Sequence, residues 1–308
     1  IRPVAARDKD AFLYLVNQKT YPDSPATQVT GAMRQAANLE EYSQKWTDYL
    51  SQDDVRIFLA ECPRGPLGFL FLVLDQKSGL TGEPQARILD HAGPPEVYPR
   101  LLEAALATCR VRRNLYITAR AYVSMPGERA LWKSLGFGPE LTRVVAETAY
   151  ENFEGPYAVR AASANDQMFI ALLNARSTRF YMYANREDDV QTVATRNFEH
   201  YMALDFSNPA RFRGVVVEDQ DGPVGYVLLQ NQWEMDVSRA PGSYVYDVAV
   251  DPGHRGGRAA MQVSRYAHSQ VKHMGIGYIF GDVSLDNPRT LRWACRALGY
   301  KSDWERWG

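Results

Sequence analysis

The stretch VAVDPGHRGGRAAMQVSRYA, residues 248–267, joins an apolar strand pattern to a helical pattern through a turn with two adjacent glycines and two arginines. A strand that ends at Val250 and enters a helix near Arg258 points free backbone N–H groups and the positive end of the helix dipole at one spot. Glycines let the main chain approach a bound group closely, and arginines add positive charge. The stretch predicts a phosphate-binding turn, although a plain strand-to-helix turn with solvated arginines fits it too. The residues of this turn are Arg255, Gly256, Gly257, Arg258, Ala259 and Ala260.

The chain repeats itself at an interval of about 157 residues. ECPRGPLGFLFLVL begins at Glu61 and EDQDGPVGYVLLQ at Glu218, and both place Gly-Pro-x-Gly before an apolar strand. The opening IRPVAARDKDAFLYLVN is similar to VRAASANDQMFIALLN from Val159. Two predicted helices also stop at Leu-Gly-aromatic, where Gly136 and Gly299 suit a left-handed cap. We interpret these pairs as a tandem duplication joined near residues 150–159, with chance similarity of short segments as the alternative.

Each half predicts the same order of elements: an opening strand, one or two helices, a hairpin, a strand, a long helix, a strand and a last helix. In the second half the long helix is predicted over about 258–274, because an apolar stripe recurs at 260, 263, 267, 271 and 274. The fold class is therefore α+β, with two domains predicted at 1–150 and 151–308.

The composition excludes several classes of function. The 35 basic residues balance 36 acidic ones, which argues against nucleic-acid binding by bulk charge. No apolar run approaches the about 18 to 20 residues of a membrane span. Cys62, Cys109 and Cys295 lack CxxC spacing, so neither a disulfide framework nor a metal site is predicted. We expect a cytoplasmic protein with no nucleic-acid, membrane or metal partner.

With its neighbours, the turn resembles the acyl-CoA-binding signature of the GNAT superfamily of N-acyltransferases. That signature, [QR]-x-x-G-x-[GA], opens the helix after the fourth strand; residues 255–260 fill its register, with Arg258 in place of one glycine. The Gly-Pro-x-Gly hairpin and DNPRTLRWACRALGY also resemble the family. The resemblance implies two tandem GNAT-like domains, each with a mixed, mostly antiparallel central sheet flanked by helices.

The resemblance also implies which residues bind acetyl-CoA or another acyl-CoA. The pantetheine arm would pair with fourth-strand backbone at Val248, Ala249 and Val250, and the pyrophosphate would rest on the turn. Asn287 matches an asparagine that the family aims at the pantetheine or at the strand splay; a plain helix N-cap is the alternative. The first-half counterpart GPPEVYPR loses amide donors to its prolines, so that half is predicted to be a degenerate copy that forms a scaffold and one wall of the acceptor cleft.

Transfer in this family is direct, because an amine attacks the thioester carbonyl while the enzyme orients the reactants and manages protons. Asp247 lies mid-strand among apolar residues, where an acid is costly unless it is functional or paired, and Asp282 is a similar acid on the next strand. Both are predicted catalytic residues, with a structural hydrogen-bonding role open for each. Strand alternation predicts Asp247 on one face and Tyr246 on the other. Cys295 occupies the position of the family's proton-donating tyrosine, and a small apolar filler is its alternative role.

The sequence therefore predicts an acyl-CoA-dependent N-acyltransferase, with acetyl-CoA as the donor, that modifies a primary amine of a small molecule. We expect a monomer or a homodimer. Two alternatives stay open: a CoA-binding sensor or interaction protein without turnover, and a protein N-acetyltransferase with an open peptide groove. Candidate acceptor contacts follow the first helix of the second half, at Arg176, Arg179, Tyr181 and Tyr183.

Overall fold

The computed structural model describes residues 1–24, 29–77, 84–114, 116–149, 155–178, 189–208, 210, 212–235, 240–255 and 258–308. These residues divide into two compact units. The first contains the described residues of 1–24, 28–140 and 304–308, and the second contains those of 141–303. The two units therefore depart from the sequence halves at their edges.

The helices are α1 (Lys9–Gln18), α2 (Gly31–Ser51), α3 (Tyr98–Val111), α4 (Pro126–Ser134), α5 (Gln167–Ser177), α6 (Val190–Met202), α7 (Ala259–His273) and α8 (Pro288–Ala297). The strands are β1 (Arg2–Pro3), β2 (Val55–Cys62), β3 (Gly65–Lys77), β4 (Pro84–Ala92), β5 (Tyr116–Tyr122), β6 (Pro139–Glu147), β7 (Ala158–Ala161), β8 (Phe212–Asp219), β9 (Gly222–Met235), β10 (Ala240–Val250), β11 (Tyr278–Ser284) and β12 (Lys301–Trp307). The α+β prediction is confirmed, and α7 lies within a residue of its predicted bounds.

The two units have the same sheet topology. The first orders its strands β1-β2-β3-β4-β5-β12, and the second orders them β7-β8-β9-β10-β11-β6. One pair in each sheet is parallel, β4 with β5 and β10 with β11, and the remaining pairs within each unit are antiparallel. Each unit therefore has the mixed, mostly antiparallel sheet that the sequence predicts.

Each sheet ends in a strand from a distant part of the sequence. β6 follows α4, yet residues 141–147 pair with β11 in the second unit. β12 follows α8, yet residues 304–307 pair with β5 in the first unit. The sequence analysis predicts no strand after the last helix of either half, and this pairing was not foreseen.

A β-bulge recurs at the same place in both units. It leaves Leu89 as the extra residue of β4 and, 157 residues later, Tyr246 as the extra residue of β10. An aspartate follows each bulge, Asp90 in the first unit and Asp247 in the second. Because a bulge depends on local backbone geometry rather than on composition, this coincidence supports the duplication independently of the repeated sequence segments.

Helices cover both faces of each sheet. In the second unit, α5 and α6 pack on one face through a cluster that includes Ile170 and Tyr201, while α7 and α8 pack on the other. The predicted stripe of α7 is confirmed, because Val263, Ala267 and Val271 are buried and Ala260 and Met274 pack at the edge of the same cluster. Each such large apolar side chain stabilises the fold by roughly 1.5 to 3 kcal/mol.

The two predicted helix stops are also confirmed. Gly136 follows α4 with φ of 90° and Gly299 follows α8 with φ of 72°. Both angles lie in the left-handed region, which glycine enters without a Cβ penalty. These glycines let the chain turn from each helix into β6 or β12.

Three further observations bear on the excluded classes. Among the described residues, no helix is both long and apolar enough to cross a membrane. Within the same part of the chain, no group of three or more His, Cys, Asp or Glu side chains is placed to hold a metal ion. Cys62, Cys109 and Cys295 are free thiols.

Candidate functional site

Two parallel strands of the second unit separate beside the predicted turn. Within the described parts of β10 and β11, ladder pairing starts at Gly242 and stops at Val245, which lies opposite Gly281. On its other side β10 continues to pair with β9 through Val248, Ala249 and Val250. The last part of β10 therefore runs beyond its ladder with β11, next to the segment that leads into α7.

The segment after β10 is a short, capped turn. Asp251 accepts a hydrogen bond from the Gly253 N–H at 3.0 Å and so caps a single 3₁₀ turn, Pro252–His254. Arg255 is extended, with φ of −70° and ψ of 141°, and its Nε donates to the Val250 carbonyl at 3.2 Å. Gly256 and Gly257 lie outside the described residues.

The helix after the turn begins without a side-chain cap. Arg258, the residue before α7, has a helical backbone conformation and is exposed. Its side chain makes no capping hydrogen bond to the described N–H groups at the start of the helix. The first N–H groups of α7, at Ala259 and Ala260, carry the positive end of the helix dipole. An anion at such a helix end is stabilised by about 0.3 to 1 kcal/mol when exposed, and by up to about 2 when partly buried. This end of α7 fits a phosphate group.

The same place in the first unit is built differently. Its 3₁₀ turn, Pro95–Val97, lies 157 residues before the 3₁₀ turn of the second unit, but α3 begins directly after it at Tyr98. Tyr98 is therefore helical where the second unit has the extended Arg255. Tyr98 and Leu101 are buried. Proline at 94, 95 and 99 removes further N–H donors. That the first unit is a degenerate copy without a phosphate site stays a prediction.

Asp247 is the centre of a buried hydrogen-bond network. The residue is 5% exposed, and its Oδ2 accepts from Asn174 Nδ2 at 2.8 Å, Tyr201 OH at 2.9 Å and Tyr226 OH at 2.5 Å. Its Oδ1 accepts from the Val248 N–H at 2.7 Å. These contacts are those of the structural alternative that the sequence left open. A catalytic role for Asp247 stays a prediction.

The bulge corrects one prediction about β10. Simple alternation puts Tyr246 on the face opposite Asp247, but Tyr246 packs at the edge of the cluster that contains Ala249. Its ring also lies 6.1 Å from that of Tyr201, a partner of Asp247. The alternation prediction is wrong for Tyr246 because the extra residue of the bulge shifts the side-chain register.

A hydrogen-bonded pair that the sequence analysis missed lies on this face. The Tyr246 hydroxyl is 2.6 Å from Nε2 of His200, which is exposed on α6. Burial, followed by the charge of Arg196, lowers the pKa of His200, and burial raises the pKa of Tyr246. The lowered pKa favours the neutral imidazole, which can accept a proton. No sequence signal links the two residues, since they lie 46 positions apart.

Asp282 lies in an ion pair. Arg143 on β6 donates to it through Nε at 2.5 Å and through a terminal nitrogen at 2.9 Å, and the Tyr244 hydroxyl lies 3.3 Å away. Such a two-point contact fixes the guanidinium and the carboxylate together. The contact ties β11 to β6, and a catalytic role for Asp282 stays a prediction.

Asn287 and Cys295 occupy helix α8 and its start. Asn287 Oδ1 accepts from the Thr290 N–H at 3.2 Å, and Pro288 follows at the first helical position, so the side chain is the N-cap of α8. Cys295 packs at the edge of the α7–α8 cluster, and burial raises the pKa of its thiol. Contact of either residue with a donor molecule stays a prediction.

The candidate acceptor contacts fall at the end of α5. Arg176 is exposed on the last turn of that helix. Arg179, Tyr181 and Tyr183 lie outside the described residues.

Comparison with known proteins finds a family match within the second unit. Residues 166–300 match the model of the acetyltransferase (GNAT) family. Among solved structures, a GCN5-related N-acetyltransferase from Kribbella flavida is 15% identical, covers 87% of this chain and 94% of its own, and has a TM-score of 0.51. One from Sphaerobacter thermophilus is 13% identical, covers 99% of this chain and 93% of its own, and has a TM-score of 0.55. No curated protein gives a significant match.

At these identities the two solved structures show the fold, and they show it over most of the chain. The family match shows in addition that the second unit, with its separated strands and turn, has the sequence pattern of one family. Residues 166–300 thus match the model of the acetyltransferase (GNAT) family, and the chain has the fold of solved GCN5-related N-acetyltransferases over most of its length.

Proposed function

We propose that the chain is an acyl-CoA-dependent N-acyltransferase whose second unit transfers an acetyl group from acetyl-CoA to a primary amine of a small molecule. One observation carries this proposal: β10 leaves its described ladder with β11 at Val245 and continues to Val250, where the turn that leads into α7 begins. A polar backbone edge beside a positively charged helix end fits a long donor with amides along its arm and phosphates at its end. The family match supports the acyl-transfer class.

The proposed donor site uses backbone more than side chains. We propose that the pantetheine amides pair with backbone at Val248, Ala249 and Val250 through groups other than the Val248 N–H, which donates to Asp247, and the Val250 carbonyl, which accepts from Arg255. The N–H groups of Ala259 and Ala260, together with Arg255 and Arg258, take the phosphates, and Gly256 and Gly257 belong to the same turn by sequence. Bound acetyl-CoA supplies the activated thioester. Asn287 shapes the approach as the N-cap of α8.

We propose that the Tyr246–His200 pair removes a proton from the incoming ammonium group. The neutral imidazole of His200 accepts it, directly or through the Tyr246 hydroxyl, and the amine then attacks the thioester carbonyl. Asp247 acts as a positioning residue, because its hydrogen bonds fix the bulge that carries Tyr246. Asp282 holds the neighbouring strand through Arg143. Arg176 is a proposed acceptor contact, and a cytoplasmic monomer or homodimer belongs to the same proposal.

Calorimetric titration of the full chain with acetyl-CoA tests the donor site. We expect one site per chain, and Arg258→Glu should weaken binding at least about tenfold, or about 1.4 kcal/mol. Arg110→Glu is the matched control, because Arg110 is equally exposed near the end of α3 in the first unit. Unchanged affinity in Arg258→Glu would remove the turn from the donor site. Two sites would mean that the first unit binds a donor despite its prolines.

A screen of amines with mass detection of the products tests turnover. Acetylation of a small primary amine is the expected result. Donor binding without product from any amine would favour the CoA-binding sensor. Acetylation of a peptide N-terminus in preference to small amines would favour the protein N-acetyltransferase.

A further inference from the structure

The first unit contains a cavity of about 680 Å³. It lies between the end of α1, the end of β4 and the start of α4, and all of its lining residues belong to the first unit. Its volume is within the roughly 300 to 1,000 Å³ of small-molecule sites. The apolar side chains Leu15, Ala92, Pro95, Met125 and Leu131 line much of it, while Lys19, His91 and Glu128 supply polar groups. Such a mixture suits an organic molecule with one polar end.

The charge of Lys19 is already balanced inside the fold. Its Nζ lies 2.6 Å from Asp90, and its side chain is 10% exposed. Asp90 also accepts hydrogen bonds from the hydroxyls of Tyr21 at 2.7 Å and Tyr42 at 3.0 Å. Lys19 and Asp90 therefore form a neutral buried pair, held in place by two tyrosines.

Glu128 has no such counter-charge. It is 8% exposed, and its Oε2 accepts from the Tyr122 N–H at 3.0 Å. Its Oε1 accepts no hydrogen bond from a described residue, and its nearest charged or titratable partner, His91 Nε2, is 3.6 Å away. Lys19, Arg120 and Asp90 act on Glu128 through charge at longer range, without an ion-pair contact. A carboxylate oxygen is therefore left on the cavity wall.

His91 cannot supply the missing positive charge. Burial, and then the charge of Lys19, lowers its pKa to about 3, so it stays neutral in the physiological range. Its Nδ1 is 2.9 Å from the Tyr98 hydroxyl. Burial raises the pKa of Glu128, because ionising a buried carboxyl group with no cation in contact costs free energy. A ligand cation at this point would remove that cost.

We propose that the cavity of the first unit binds a small organic ammonium ion, with Glu128 Oε1 accepting from its N–H groups and the apolar wall holding its carbon skeleton. A phosphate-bearing ligand fits poorly here, because the adjoining turn is helical and carries prolines at 94, 95 and 99. This site is separate from the proposed donor site of the second unit and does not depend on it.

The test titrates n-butylammonium chloride into the full chain and follows binding by calorimetry, with n-butanol as the uncharged probe of similar shape. We expect butylammonium to bind and butanol to bind at least tenfold more weakly. Glu128→Gln keeps an oxygen for the Tyr122 N–H and should weaken butylammonium at least tenfold. Glu96 is an exposed carboxylate on the nearby 3₁₀ turn, and Glu96→Gln should leave the affinity for butylammonium unchanged. The affinity for butylammonium should rise with pH as Glu128 ionises.

A second variant keeps the test informative should Glu128→Gln fold poorly. Gly127 lines the cavity, and a Cβ there meets no other atom within 4 Å, so a side chain can be added at this position and Gly127→Leu is expected to occupy part of the cavity. This variant should also lose binding of butylammonium. Equal binding of butanol, unchanged binding in both variants, or no binding of butylammonium to the wild type would overturn the proposal. Binding that survives both variants would belong to an acceptor site elsewhere in the chain.

Discussion

The structure predicts that Asp247→Asn destabilises the second unit. The carboxylate accepts hydrogen bonds from Asn174, Tyr201 and Tyr226 at Oδ2 and from the Val248 N–H at Oδ1. An asparagine can keep its oxygen toward the first three donors, but its amide nitrogen then faces the Val248 N–H, which loses its acceptor. Hydrogen bonds to a charged group contribute about 1.5 to 3 kcal/mol each and neutral ones about 0.5 to 1.5. Three bonds weakened by about 1 to 1.5 kcal/mol each and one bond lost at about 1.5 to 3 kcal/mol give a cost of about 4.5 to 7.5 kcal/mol.

Asp90→Asn is the matched variant in the first unit, at the same bulge. There the carboxylate balances a buried lysine, so the substitution leaves the ammonium of Lys19 without a counter-ion. Removing one partner of a buried pair costs about 3 to 5 kcal/mol on its own. Lost hydrogen bonds add to that cost, so we expect the larger destabilisation here. Part of it should be recovered at high pH, where Lys19 can lose its proton.

Urea unfolding gives the free energies, and hydrogen exchange read by mass spectrometry assigns them to a unit. Exchange should increase in α5, α6 and β10 for Asp247→Asn, and in α1, α2 and β4 for Asp90→Asn. An unfolding free energy of Asp247→Asn within about 0.5 kcal/mol of wild type would refute the network argument. If the pH profile of acyl transfer shifted as well, Asp247 would be the proton acceptor that the sequence predicts.

Three further perturbations have expected outcomes. Hydrogen bonding to Arg2 lowers the pKa of Asp8 from 3.8 to about 2, so this pair stabilises the fold above about pH 4 and the contribution is lost as pH falls through 2. Because Arg2 is 34% exposed, we expect about 1 kcal/mol, measured as the difference in acid unfolding between wild type and Asp8→Asn. Burial lowers the pKa of His268 to about 4, so the free energy of unfolding should fall as pH drops from 6.5 toward 4. Urea unfolding measured across this pH range should show a smaller fall for His268→Asn than for the wild type. His200→Gln should reduce kcat by about a hundredfold, leave the KM for acetyl-CoA unchanged and remove the acidic limb of the pH profile; an unaltered kcat would exclude His200 as the proton acceptor.

The repeated architecture was predictable because its signals are local. Gly136 and Gly299 end helices wherever a left-handed residue is required, and the apolar stripe of α7 follows from helical periodicity alone. The turn after β10 was predictable for the same reason, since strand, turn and helix are contiguous in sequence. A family match over residues 166–300 agrees with that part of the prediction.

The partners of Asp247 and the placement of β6 were not predictable from local pattern. Asn174 and Tyr201 lie 73 and 46 residues before the carboxylate that they bind, and many buried acids share its sequence context. The sequence analysis predicts no strand at residues 141–147, and side-chain periodicity carries no information about whether the neighbour of such a strand is β5 or β11. The bulge likewise adds one residue that periodicity cannot anticipate, which is why Tyr246 was placed on the wrong face.

The two bulge aspartates explain how one fold can hold two different sites. Asp90 and Asp247 each accept the following backbone N–H, so both carboxylates hold the bulge in the same way. Their remaining partners differ, a lysine in the first unit and neutral donors in the second. The difference in charge leaves the first unit with a neutral pair and an unmatched Glu128 on a cavity. In the second unit α7 begins without a side-chain cap, so the two units differ at the places where we propose a cation in one and a phosphorylated donor in the other.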